Sequence, residues 1–306
     1  MNTKQKAQPL LIVGSVAFDS VETPQGRADM ALGGSASYAS IAASYFAKPQ
    51  VVGVVGEDFG THHMARLSDH GVDVRGIESM PGKTFHWRGR YHEDLNNRDT
   101  LETALNVFQH FKPAIPDAYR DTRYVMLGNI DPVLQLSVLD QTRGVTLTGM
   151  DTMNFWIDTA RDALLEVLKR VDVLFINDEE AMQLADEWTV LASAEAIRRM
   201  GPKYVVVKRG EYGSVLFGPD LTLFVPAVLL SHVVDPTGAG DTFAGGFMGQ
   251  LSRGGGLTRE NLAGALAWGT VMASFTVEAF SVDGICNLQH SVIDSRRRQL
   301  LDMVRY

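Results

Sequence analysis

The chain has 306 residues, 45% of them hydrophobic, and a formal charge of −8, a balance that predicts a globular protein with a sizeable core and excludes general affinity for nucleic acid or anionic membranes. Its one cysteine, Cys286, excludes an internal disulfide and reads as a small buried hydrophobe. Met1 to Pro9 is polar, unlike a secretory signal, and no apolar run approaches the roughly 20 residues that cross a bilayer, so a cytoplasmic chain is the expectation.

Leu10 to Val13 is a short apolar run closing on Gly14, the pattern of a strand buried on both faces. Asp19 follows just past its C-terminal end, at the edge where open α/β sheets bind ligands, although a turn aspartate fits the same position. Gly33 and Gly34 open a helix rich in small residues, Ser35 to Phe46, and leave room for a ligand against the backbone. Val51 to Val55 is the next buried strand. A helix ending at Gly71 follows, on which His62 and His63 are expected to face different directions as solvated surface.

Residues 84 to 107 break the strand–helix rhythm. Phe85, Trp87, Gly89 and Tyr91 alternate with polar residues, as do Leu101, Thr103, Leu105 and Val107 after a polar stretch, which predicts a β-hairpin with one apolar face to cover something. Arg88 and Arg90 lie on its polar face. From residue 124 the rhythm returns, with strands at Tyr124 to Leu127, Val145 to Met150 and Val173 to Ile176. Polar residues follow each of them: Asn129 and Asp131, then Asp151 and Asn154, then Asn177, Asp178, Glu179 and Glu180. Three such clusters at the ligand edge suggest a site, with helix capping as the alternative for the last. Tyr204 to Lys208 runs through Arg209 and Gly210 into a tight turn at Gly213, and two short strands follow.

The most informative stretch is Val233 to Gly249, which reads as a strand end, a glycine turn and a helix whose buried face carries Phe243, Phe247, Met248 and Leu251. Gly238, Ala239 and Gly240 stand at the helix start, where backbone N–H groups and the helix N-terminus favour an anion such as phosphate. Asp241 at the mouth is either the helix N-cap or a base beside the bound anion.

This stretch closely resembles the C-terminal signature of the ribokinase-like (PfkB) carbohydrate and nucleoside kinases. The resemblance extends from the first strand to the helix at Leu262 to Phe275, which by likeness walls the adenine site. It implies a three-layer α/β/α fold, a doubly wound and mostly parallel sheet, in a single domain over 1–306. A small β-sheet lid would come from about 20–32 and 84–107. It further implies transfer of the ATP γ-phosphate to a hydroxymethyl group of a small sugar or sugar-like substrate, with a nucleoside as the alternative. Asp241 is then the general base and Gly238 to Asp241 the anion hole, while Asp19, Gly33, Gly34, Tyr38, Asp151 and Asn154 face the substrate. Asn177, Glu180, Lys208, Gly210, Gly213 and Thr237 serve ATP, and Glu180 holds Mg²⁺ through water. A monovalent cation such as K⁺ near Asp235 and Thr237, and a homodimer through the lid, are implied for some members. Tyr38 departs from the pattern, since the family commonly has Asn there.

A nicotinamide-dependent dehydrogenase would need Gly-x-Gly-x-x-Gly after the first strand, and a P-loop kinase Gly-x4-Gly-Lys-Ser/Thr; the chain has neither. The remaining rival is a non-catalytic ligand sensor, which has no use for the base in the Gly238 to Asp241 run. Trp87 and the other aromatics of the hairpin suit a nucleobase, a sugar face or a core equally, so the residues leave the substrate open.

Overall fold

The computed structural model describes residues 7–95 and 97–304. Its strands, in chain order, are β1 (Pro9–Val13), β2 (Ala17–Thr23), β3 (Gly26–Gly33), β4 (Lys48–Gly56), β5 (Asp73–Met80), β6 (His86–Tyr91), β7 (Arg98–Ala104), β8 (Tyr124–Leu127), β9 (Leu147–Asp151), β10 (Val173–Asn177), β11 (Tyr204–Lys208), β12 (Ser214–Gly218) and β13 (Leu221–Val225). Nine of them form one sheet in the order β13-β12-β11-β10-β9-β8-β1-β4-β5. β12 pairs antiparallel with both β11 and β13 at one edge, and the other neighbours pair in parallel.

The central strands are apolar on both faces because both faces are covered. Leu10, Ile12, Phe175 and Val206 pack under the helices Ser35–Ser44, Ala239–Leu251, Arg259–Thr276 and His290–Asp302. Leu11, Val13, Leu174 and Val205 pack under Pro132–Gln141, Arg161–Leu168, Asp178–Ala185 and Val190–Met200. Each fully buried Leu or Ile here stabilises the fold by about 1.5–3 kcal/mol. The chain leaves β1 towards β4 and β5 on one side and returns to β8 on the other. That reversal opens a crevice at the C-terminal ends of β1 and β8, the place where such sheets take ligands.

A second sheet of four strands, β3-β2-β6-β7, stands over this end. β2 pairs in parallel with β6, Asp19 opposite Trp87, and antiparallel with β3. Asp19 therefore lies inside a strand of the small sheet rather than in a turn after β1. The hairpin's second arm is also shifted from the expectation. It spans Arg98–Ala104, and Asn106 turns to a φ of 49° to start the short helix Asn106–His110, which puts Val107 into the core. The root of the hairpin is held by Asp58, which accepts from Thr84 N at 2.7 Å and Thr84 Oγ1 at 2.6 Å. His62 and His63 do not diverge as expected. Their ring centroids lie 3.8 Å apart, because His63 turns inward against Phe18 and Phe59.

Candidate active site

The signature turn is built to leave backbone donors free. Val234 N donates to Val277 O at 2.7 Å, and Thr237 N to Asp235 Oδ1 at 2.9 Å, so the chain reverses before the helix. Gly238 takes the left-handed conformation, φ 75°, and stands as N-cap of Ala239–Leu251. An L side chain is strained there, which accounts for glycine. Ala239 N donates to Pro236 O at 3.2 Å and Thr242 N to Gly238 O at 2.8 Å. The Ala239 amide is thus turned into the helix start, which corrects its expected place among the donors to an anion. Gly240 N keeps no backbone acceptor, and Asp241 N lies against the Asp241 carboxylate. Asp241 sits in the first helical turn and not at the cap, so capping does not account for it.

Beside Asp241 lies a charged cluster from three strand ends. Lys208, last in β11, places Nζ 2.8 Å from Asp151 Oδ2, last in β9; both side chains are largely buried. A Cβ on Gly240 would come within 3.0 Å of Lys208 Nζ, so the ammonium stands directly against the turn. Burial works against the charge on Lys208, but the carboxylates of Asp151 and Glu180 outweigh it and hold its pKa above the usual value. Burial, with Asp151 adding to it and Lys208 opposing it, raises the Asp241 pKa to about 7. Asp151, expected to face substrate, is committed to Lys208 in this arrangement.

Glu180 and Asn177 form a capping box at the start of Asp178–Ala185: Asn177 Oδ1 accepts from Glu180 N at 2.7 Å, and Glu180 Oε2 accepts from Asn177 N at 3.1 Å. The capping alternative therefore applies to both residues, but it uses only one carboxylate oxygen of Glu180. Burial first, and Asp151 next, raise the Glu180 pKa against the opposing charges of Lys208 and Arg98. Among the described residues no group of three or more His, Cys, Asp or Glu side chains is arranged to hold a metal ion.

The second half of the site comes from the small sheet. Asp19 is buried on β2 and packed so closely against Gly33 that a Cβ there would lie 2.0 Å from Asp19 Oδ2. Burial, and then the carboxylates of Asp235 and Asp241, raise its pKa to about 7, with the Gly34 amide opposing. Gly34 itself has φ 90° and lies against Ser15 O. Asp235 is buried, its Oδ2 has no partner, and burial raises its pKa against the hydrogen bonds from Thr237. Two contacts tie the small sheet to the turn: Thr23 Oγ1 donates to Val234 O at 2.9 Å, and Thr237 Oγ1 to Tyr91 Oη at 3.3 Å.

Other expected residues fall outside this cluster. Asn154 is exposed, and its Oδ1 closes on Phe155 N at 3.0 Å; the neighbouring polar contact is instead Trp156 Nε1 to Asn129 Oδ1 at 2.9 Å. Gly210, φ 52°, and Gly213, φ 87°, shape the tight turn after Arg209, which donates its N–H to Gly213 O at 2.8 Å. Sequence reasoning missed Thr23 and Arg98, which carry no motif; they are found only by which strands pair. It also missed β5, whose residues lack a run of buried side chains.

The two raised carboxyls give a pH signature. In the unfolded chain Asp19 and Asp241 ionise near 3.8, and in the fold near 7. Their burial is therefore most favourable below about pH 4, and stability is given up as pH rises towards and through 7. For a reaction that needs Asp19 and Asp241 ionised, kcat/KM is expected to rise steeply through pH 7. The acid limb should exceed one log unit per pH unit, because the two groups titrate together. A limb of unit slope would count against a need for both carboxylates.

The family model described as "pfkB family carbohydrate kinase" matches residues 10–287. A protein named cytidine kinase from Thermococcus kodakarensis is 34% identical over 250 residues, 80% of this chain and 89% of that protein. Among solved structures, the nucleoside kinase of Methanocaldococcus jannaschii superposes with a TM-score of 0.77 at 21% identity, covering 96% of this chain and 99% of that one. A putative ribokinase II of E. coli, solved with ATP and Mg²⁺, superposes with a TM-score of 0.79 at 19% identity, covering 95% and 99%.

Proposed function

The chain belongs to the pfkB family of carbohydrate kinases, ATP-dependent phosphotransferases acting on alcohol groups, and from that premise we propose that it phosphorylates the hydroxymethyl group of a nucleoside. The carrying observation is Asp241: a carboxyl with a pKa near 7, in the first turn of a helix, beside the Gly240 amide and the Lys208 ammonium. In this reading Asp241 takes the hydroxyl proton as the new P–O bond forms and the bond from the γ-phosphorus to the departing ADP breaks. The Gly240 and Asp241 N–H groups and Lys208 oppose charge on the transferred phosphoryl, a task that rests on positioning and electrostatics. Asp19 accepts hydrogen bonds from two ribose hydroxyls. The residues present fit Mg²⁺ held through water by the free oxygen of Glu180, since Mg²⁺ keeps most of its waters and binds few protein carboxylates. When bound, the ion neutralises phosphate charge. The unpartnered Asp235 Oδ2 fits a monovalent cation next to the turn.

Two observations favour a nucleoside over the free sugar that the signature alone put first. The relative named cytidine kinase is similar over most of both chains. Of the hairpin aromatics, Phe85 is stacked on Phe108 and Tyr91 is buried against the turn, which leaves Trp87. Trp87 shares with Gly89 and Tyr91 the face towards the turn, pairs with Asp19, and lies flat enough on Gly89 that a Cβ there would meet the indole at 2.2 Å. A held, half-buried indole beside a ribose-binding carboxylate suits a base. ADP release is measured with Mg-ATP against cytidine, uridine, adenosine, inosine, ribose and fructose, in K⁺ and in Na⁺. A nucleoside is expected to be turned over at least tenfold better than any free sugar, with K⁺ the better salt. Trp87→Ala is expected to cost about 1–3 kcal/mol of that preference, roughly 5–150-fold. Equal turnover of ribose and nucleosides would discard the nucleoside reading while keeping the kinase.

A further inference from the structure

We propose that Tyr38 is a positioning residue: its ring is the floor that holds the Gly238 turn at the height required for phosphoryl transfer. The proposal rests on the kinase reading of Asp241 and adds a residue at the position where the family commonly has Asn. Tyr38 lies on the helix Ser35–Ser44 and is 1% exposed, one of the largest fully buried side chains of the protein. A Cβ on Gly238 would lie 2.4 Å from two atoms of its ring, so the turn rests on the ring at backbone distance. The helix cannot yield. A Cβ at Gly245 would lie 2.2 Å from Ala39 O, and at Gly249 3.0 Å from Ala43 Cα, so Ser35–Ser44 and Ala239–Leu251 touch backbone to backbone. The ring is therefore wedged between a fixed helix and the turn that the next helix begins with.

The hydroxyl is not what the turn feels. Tyr38 Oη is buried and has no hydrogen-bond partner, with the carboxylates of Asp19, Asp235 and Asp241 around it. The planar ring is the part in contact. Above the same turn, Thr237 is held by Tyr91 of the small sheet, so the donors of Gly240 and Asp241 are fixed from both sides. A lowered turn moves those donors and the Asp241 carboxylate away from the transferred phosphoryl together, while leaving the surfaces that bind ATP and acceptor in place.

The test compares Tyr38→Phe with Tyr38→Met, which fills a similar volume without a flat face. Tyr38→Phe is expected to keep kcat within about threefold, and Tyr38→Met to lose about 100-fold in kcat, the size of one lost anion-hole donor. KM for ATP and for the acceptor should stay within about threefold in both, since the ground-state contacts are untouched. Full kcat in Tyr38→Met, equal losses in the two variants, or a loss in KM rather than kcat would each overturn the proposal. Should Tyr38→Met not melt cooperatively, Tyr38→Leu, which also lacks a flat face, replaces it, and a kcat equal to wild type there also overturns the proposal. Wild type is run in the same assay. No turnover of any acceptor by wild type counts against the kinase reading, whereas wild-type turnover with an unaffected Tyr38→Met counts against Tyr38 alone.

Discussion

Asp241→Asn is expected to reduce kcat by about a thousandfold, in the middle of the range for loss of a general base. Asparagine keeps the size and the hydrogen-bonding shape of the side chain, so the first turn of Ala239–Leu251 and its Gly240 amide should stand as before. What is lost is the group proposed to take the hydroxyl proton. ATP binding should survive, because Lys208 is unchanged, and removing a carboxylate beside bound phosphates relieves repulsion. ADP release reports the first effect and calorimetric titration with ATP the second. Turnover within tenfold of wild type would sink the base assignment. A second consequence is read in the same variant: with one of the charges that raises Asp19 gone, the remaining acid limb should move to lower pH and fall to unit slope.

Gly33→Ala should be nearly as damaging for the opposite reason, through the acceptor rather than the chemistry. The added methyl would sit 2.0 Å from Asp19 Oδ2, a distance no Cβ tolerates, and β2 and β3 are paired at this level, Ala17 with Gly33. Asp19 must swing away from the position in which it would accept two hydroxyls. Hydrogen bonds to a charged group are worth about 1.5–3 kcal/mol each, so loss of about 3 kcal/mol, roughly 100-fold in kcat/KM, is expected. The loss should appear chiefly in KM for the acceptor. Asp19→Ala should cost the same, and the double variant little more, since both remove one interaction. Additive losses would mean that Gly33 acts on something other than Asp19.

The parts legible in the sequence are those where a local rule and the fold agree. The apolar runs at Leu10, Tyr124, Val173 and Tyr204 are strands because buried parallel sheets need side chains apolar on both faces. Gly238 to Asp241 could be read as a tight turn opening a helix because glycine supplies the positive φ that the turn needs. Pairing between distant segments could not be read. Asp19 belongs to the small sheet because β2 pairs with β6, more than sixty residues on, and nothing in Gly-Ser-Val-Ala-Phe-Asp signals a second strand so soon after the first. The hairpin arm was misplaced because Leu105 and Val107 continue the alternation after the strand ends, and a positive φ at Asn106 breaks a pattern that residue types alone extend. Ala239 looked like a donor because sequence gives the amide but not its direction. Asp151 and Lys208 were assigned separately because an ion pair across two strand ends has no sequence spacing.

The two ties between small sheet and turn, Thr23 to Val234 O and Tyr91 to Thr237, bear on fidelity. Both attach to the same few residues that precede the helix of Asp241. If the small sheet lifts to admit an acceptor or release a product, it pulls on that loop, and the donors for the phosphoryl group lose their placement with it. On the proposed reading, water would enter the site only when the machinery that could use it is out of alignment, and idle ATP would be spared from hydrolysis by the stitching of one sheet to one loop.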